Sequence, residues 1–118
     1  MPVEIPGKEA LDKKELLKVL RSLKKGNFAV RLPTHFKGID FQLANAFNDV
    51  VDLNQRVSRE LQRITRVVGR EGKLSERASL GDVGGSWGGL VNSINTLIGD
   101  LVWPTSEMAR VIGAVANG

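Results

Sequence analysis

The chain has no cysteine, no tyrosine and a single histidine, and only 5% of its residues are aromatic. Without thiols there is no disulfide framework and no thiolate metal site, which fits a reducing compartment. One histidine without neighbouring carboxylates cannot build a metal site. No uninterrupted apolar run approaches the roughly 18 residues needed to span a bilayer. Residues 1–8 lack the apolar core of a signal peptide. These absences lead to the expectation of a soluble, cytoplasmic chain with no cofactor, no metal and no membrane span.

What is present is ordinary in amount and unusual in arrangement. Of 118 residues, 42% are hydrophobic, 25% are charged and 13 are glycine, too many glycines for one simple helical bundle. The net charge is +4 and the sequence pI about 9.8, which raises a nucleic acid or an anionic membrane as a partner. The basic residues nevertheless interleave with acids, as in Lys13, Lys14, Glu15, Lys18 and again in Arg56, Arg59, Glu60, Arg63. Such mixing describes a solvated helix face, so the sequence argues against a nucleic-acid partner.

Residues 1–10, with two prolines and a glycine, read as an extended leader. Residues 11–25 have helical periodicity, with Leu16, Val19, Leu20 and Leu23 on one stripe. Asp12 is placed to cap this helix, with Glu15 three residues on as in a capping box, and Gly26 to stop it. Residues 26–38 form a connector broken by Gly26, Pro33 and Gly38, whose apolar Phe28, Leu32 and Phe36 can dock it. A long helix follows. Leu43, Phe47, Val50, Asn54, Val57, Leu61, Ile64 and Val68 alternate spacings of 4 and 3, the seam of a coiled coil. Asn54 is its one polar member, a residue type that fixes register at a cost in stability. Gly69 and Gly72 are expected to close this helix. Residues 72–86 form a second glycine-rich connector, anchored by Leu74 and Leu80. A second seam then runs through Trp87, Leu90, Ile94, Leu97, Leu101, Pro104, Met108, Val111 and Val115.

An offset of 47 lays the second seam on the first: Leu43 on Leu90, Phe47 on Ile94, Val50 on Leu97, Leu61 on Met108, Val68 on Val115, with Asn48 on Asn95 among the polar neighbours. Gly26, Gly72 and Gly118 are spaced by 46. The mismatch of one residue falls in the connector and the helix end. An offset of 92 lays Leu16 on Met108, Val19 on Val111, Leu20 on Ile112 and Leu23 on Val115. The unit is therefore helix, connector, helix, with the second helix of one unit running on as the first helix of the next. The expected division is residues 11–57, residues 57–104 with a shared junction helix, and residues 104–118 as the first helix of an incomplete third unit. Gly118 stands where a further connector would open, so a longer array is expected.

A connector of about fifteen extended residues reaches on the order of 45 Å, whereas a helix of that length is about 22 Å long. It can therefore run back along the first helix, and the second then starts level with the first and points the same way. Two parallel helices with narrow apolar stripes bury them only in part. A second copy of the chain completes a parallel four-helix bundle, so the sequence predicts a homodimer.

Gly26-Asn27-Phe28 and Gly72-Lys73-Leu74 resemble the opening of a HAMP connector. Leu43-Ala44-Asn45-Ala46-Phe47-Asn48 resembles the start of a HAMP second helix. The stretch Val68-Gly69-Arg70-Glu71-Gly72-Lys73-Leu74, followed by Gly85-Ser86-Trp87, Val91-Asn92-Ser93-Ile94-Asn95 and Ala114-Val115-Ala116-Asn117-Gly118, is similar to the poly-HAMP arrays of soluble hybrid histidine kinases. The resemblance covers roughly residues 11–118. It implies an all-α fold of tandem HAMP units in a parallel homodimeric four-helix coiled-coil bundle. It also implies a relay toward a histidine kinase core that lies outside this chain. Pro104 resembles the proline near the start of the family's first helix. The family usually opens its second helix with Asp-Glu, where Gly38-Ile39 and Gly85-Ser86 stand here.

No catalytic constellation is present. His35 lies between Thr34 and Phe36 in a proline-bounded loop, whereas a phosphoacceptor histidine needs a helix and an adjacent acid. The glycine cluster from Gly81 to Gly89 lacks the Gly-Lys-Ser/Thr of a phosphate loop. Trp87 falls on the seam and reads as packing; Trp103 lies beside it. Pro104, costing about 3 kcal/mol in a regular helix, is expected to kink the helix at the junction between units; opening a new helix at its first turn is the other reading. The leading function is a non-enzymatic signal relay of the two-component type. The alternatives are a coiled-coil spacer, which has no use for the connectors, and a basic nucleic-acid-binding helical protein.

Overall fold

A computed structural model of the chain describes residues 10–117, without the side chains of residues 105, 106, 116 and 117. Residues 1–9 of the expected leader and Gly118 lie outside the described residues. All regular structure among the described residues is helical. Helix α1 spans Lys13–Lys24 and α2 spans Gly38–Ile64; a π-helical turn, Thr65–Arg70, extends α2; and α3 spans Gly85–Asn117. The chain divides into two compact units, Met1–Val57 and Ser58–Gly118, and the division falls within α2.

Helix α1 starts and stops for local reasons. Asp12 takes an extended conformation before it, and its carboxylate accepts from the Lys14 amide at 2.9 Å. The capped amide belongs to Lys14 rather than to Glu15, so the expected capping box is replaced by a single side-chain cap. At the far end Gly26 has φ +92°, a backbone that a side chain resists. The Gly26 amide donates to the Leu23 carbonyl at 2.9 Å and the Asn27 amide to the Ser22 carbonyl at 3.0 Å. These two bonds form the Schellman closure of a helix.

The π turn has a cause in the repeat. Leu16 and Leu61, Val19 and Ile64, and Leu23 and Val68 are offset by 45 residues, whereas Gly26 and Gly72, and Phe28 and Leu74, are offset by 46. The second unit's first helix thus carries one residue more than α1 before its closing glycine. The wider turn Thr65–Arg70 takes it in, as single-residue insertions in helices do. The Glu71 amide reaches back five residues to the Arg66 carbonyl at 2.9 Å, and Gly72 follows with φ +69°. Gly69 therefore lies inside the final turn and does not close the helix; Gly72 does. Another residue enters in the second connector, so Gly38 and Gly85, and Asn48 and Asn95, are offset by 47.

Helix α3 runs through Pro104 from Gly85 to Asn117. Proline there neither ends one helix nor opens another, and the missing amide removes one backbone bond to the preceding turn.

Candidate interaction surface

Each unit has a small core of its own. In the first, Val19 of α1, Leu32 and Phe36 of the connector and Ala44 of α2 form a buried cluster, with Leu11, Leu16, Val30 and Phe47 packed against it. In the second, Ile64 and Val67, Ala78 of the connector and Ile98 of α3 do the same, with Val68, Ile94 and Val102 around them. Of the residues expected to anchor the connectors, Leu32 and Leu80 are buried, Phe28 and Leu74 half-buried, and Gly26 and Gly72 exposed.

Two asparagines hold the connectors. The Leu32 amide donates to Asn48 Oδ1 at 2.8 Å, and Asn48 Nδ2 donates to the Leu32 carbonyl at 2.9 Å. In the second unit the Ala78 amide donates to Asn95 Oδ1 at 2.7 Å, and Asn95 Nδ2 to the Ala78 carbonyl at 3.0 Å. One side-chain amide satisfies both main-chain groups of an otherwise ladderless segment, which burial requires. An arginine supports each turn before the clamp. Arg31 Nη1 donates to the Phe28 and Val30 carbonyls at 3.0 and 2.7 Å. Arg77 Nη1 donates to the Leu74 and Glu76 carbonyls at 2.8 and 2.7 Å.

Carboxylates add a link that differs between the units. In the first, Asp40 near the start of α2 accepts from the Leu11 amide at 3.1 Å, just ahead of α1. That bond ties the residues just ahead of α1 to the start of α2. This carboxylate stands one position beyond Gly38-Ile39, and the sequence analysis did not single it out. In the second unit Glu60 accepts from Arg63 at 2.7 and 3.1 Å and from the Ser79 amide at 2.6 Å. Arg63 also donates to the Arg77 carbonyl at 2.9 Å. The Arg63 guanidinium, helped by the Ser79 amide, holds the Glu60 carboxyl below its ordinary range against the desolvation that raises it.

The seam residues divide into two sets. Val19 and Ile64 are buried; Leu16, Leu23, Phe47, Asn54, Val57, Val68 and Ile94 are half-buried. Leu20, Leu43, Val50, Leu61, Leu90, Leu97, Leu101, Met108, Val111 and Val115 are exposed. The deepest positions of the second helices lie one residue on from exposed ones. Leu43 is 47% exposed and Ala44 0%; Val50 is 49% exposed and Val51 0%; Leu97 is 60% exposed and Ile98 5%. One residue is about 100° of helix rotation. The apolar stripe is thus wider than the seam, one edge turned to the chain's own core and the other left uncovered. Its uncovered edge repeats: Leu43 and Val50 of the first unit answer Leu90 and Leu97 of the second. Asn54 donates to the Val50 carbonyl of its own helix at 2.8 Å.

Sequence reasoning missed Ala44, Val51 and Ile98, although the offset of 47 pairs Val51 with Ile98. It registered Asn48 and Asn95 as a repeat but not as a clamp. Ile39, Phe41 and Leu17 are also exposed. Farther along α3, Trp103, Pro104, Met108, Val111 and Ile112 line a shallow apolar groove with Glu107. The His35 ring lies 4.3 Å from that of Phe36, and the described residues contain no cluster of metal-ligating side chains. No described helix is long and apolar enough to cross a membrane.

The chain matches no family model and no solved structure. Its repeat and its geometry are therefore what a functional reading must rest on.

Proposed function

We propose that this chain is a dimeric relay module of the HAMP type, without chemistry of its own, which passes conformational change along a parallel coiled-coil array toward an output such as a histidine kinase core. The observation that carries the reading is the uncovered edge of the apolar stripe. Leu43 and Val50 in one unit, and Leu90, Leu97 and Leu101 in the other, are exposed at coiled-coil spacing. Contiguous apolar exposure of this kind marks an interaction site. The heptad spacing suits a second helix pair of the same pattern, and a second copy of the chain supplies one in register. Each copy contributes two same-direction helices, and together they make a four-helix bundle.

The relay follows from the width of the stripe. Residues 43 and 44, 50 and 51, and 97 and 98 offer adjacent apolar choices, so a modest rotation exchanges which of them faces the partner. Alternative packings of one bundle can differ by only a few kcal/mol. The clamped connectors let the two helices of a unit move as a pair.

The chain has no cysteine, so one introduced thiol reports one contact. Val50→Cys and Leu97→Cys are each expected to give a disulfide-linked dimer under mild oxidation. Sedimentation of the unmodified chain is expected to give a dimer. A well-folded monomer at high concentration defeats the reading. If the array is fused to an output domain, crosslinking that is identical in the resting and stimulated states leaves only a spacer.

A further inference from the structure

The sequence reads the basic residues of α1 as a mixed, solvated face, and the structure separates them. Lys14, Lys18, Arg21 and Lys25 follow spacings of 4, 3 and 4 and are all exposed; with Leu17 and Ser22 they line one shallow groove. At about 100° per residue this row lies on the side of α1 opposite Leu16, Val19 and Leu23. Lys13 and Lys24 flank it on the side of Leu17. Glu15, the acid that mixed the pattern in sequence, sits about a quarter turn away, and Asp12 is engaged in capping the helix. Among the described residues none of the four cations forms an ion pair.

The same row recurs 45 residues later as Arg59, Arg63, Arg66 and Arg70, where much of it is neutralised from within. Arg63 pairs with Glu60 at 2.7 Å and Glu76 at 3.8 Å, and Arg66 with Glu71 at 3.4 Å. With the row laid at 45 and the closing glycines at 46, Glu71 falls at the extra residue and has no counterpart in the first unit, and at the position of Glu76 the first unit has Val30. The third acid, Glu60, answers Glu15, and Glu60 is drawn toward the Ser79 amide. One register thus supports a partly compensated row in the second unit, through Arg63 and Arg66, and an uncompensated one in the first.

We propose that the basic row of α1 is a docking surface for an anionic lipid bilayer, against which the helix lies lengthwise. A cluster of four to eight lysines and arginines on one helix is of the size that anionic headgroups bind. Leu17 is 46% exposed in the middle of the row, where an apolar side chain suits the headgroup and acyl boundary and serves no purpose against a phosphodiester backbone. No aromatic side chain stands on the row to stack on a base. The apolar face of α1 is committed to its own core, so attraction is mainly Coulombic and reversible. This proposal does not depend on the relay reading, since the row lies on the far side of α1 from the apolar stripe.

The test is co-sedimentation of the full chain with phosphatidylcholine vesicles and with vesicles of phosphatidylcholine and phosphatidylserine in roughly equal amounts. Binding is expected only to the anionic vesicles and should fall at least about tenfold at high salt. The K14Q/K18Q/R21Q/K25Q variant keeps good helix formers at exposed positions. It is expected to retain its helical circular dichroism and to lose at least about tenfold in partition. The R59Q/R66Q/R70Q variant should lose less than about threefold, because its row is already partly compensated. Equal binding to both vesicle types, an equal loss in the two variants, or no binding overturns the proposal. So does binding of a short DNA duplex without binding of vesicles, which assigns the row to nucleic acid.

Discussion

The two units solve one problem with the same asparagine and a second problem with different acids. In each, a segment without a sheet or helix of its own is fastened by a side-chain amide that bonds an amide and a carbonyl of one residue. The acids diverge because the needs differ. Helix α1 has a start of its own, where Asp12 accepts from a leading amide and Asp40 from the Leu11 amide just ahead of it. The second unit's first helix is a stretch of α2 and has no free start. Its connector instead presents the Ser79 amide, which Glu60 accepts. The matching position in the first connector is Pro33, which has no amide, and the matching acid, Glu15, is exposed. What repeats is what every connector needs; what varies answers to a particular end.

The comparison can be broken most forcibly at the clamps. Asn48→Ala and Asn95→Ala each leave a partly buried amide and carbonyl without partners. Each is expected to cost about 2–3 kcal/mol in chemical denaturation. Similar costs in the two variants support an equivalent role; a large cost in one and none in the other breaks the equivalence. A smaller effect sharpens the account of the π turn. Deleting Gly69 gives the second unit the spacing that Val19 and Gly26 have in the first. This deletion should leave the fold intact with an ordinary helical end, and removing a helical glycine should make it neutral or stabilising by about 1 kcal/mol. Amide chemical shifts would report the change, and loss of the fold would show that the extra residue is required.

The smallest effect concerns pH. Glu60 titrates in the folded chain below its ordinary value of 4.5, so folding favours its ionised form. That stabilisation is complete above the ordinary value and disappears as pH falls through the lower folded one. Acidification through this window should cost the second unit about 1 kcal/mol or less, given the partial exposure of Arg63. The protection factor of the Ser79 amide, exchange divided out by its intrinsic pH dependence, should fall from neutral to acid pH in the native chain and change little in Glu60→Gln. An identical profile in both removes Glu60 from the account.

Much of this was legible in the sequence, for identifiable reasons. Gly26 and Gly72 punctuate the chain because helices close through glycine, and the alternation of 3 and 4 marks the long helices. Phe28, Leu32, Leu74 and Leu80 stood out as apolar residues in otherwise polar connectors. Ala44 was hidden by its size, and Val51 and Ile98 by stronger-looking neighbours at Val50 and Leu97. Periodicity finds a stripe but not which of its edges meets the chain's own core. The mismatch of one residue was visible as a number. Only backbone geometry shows that a widened turn at Thr65–Arg70 absorbs part of it. Asp40 and Glu60 could not be distinguished from other surface acids until the amides of Leu11 and Ser79 were seen opposite them.

The asparagine clamp grips main chain alone, so it is indifferent to spelling. Leucine occupies the gripped position in one unit and alanine in the other, and the clamp itself asks only for an amide hydrogen. Burial in the two cores sets what else those positions accept, so drift is uncoupled from the connectors' path at their exposed letters, and proline stays out of one place in each.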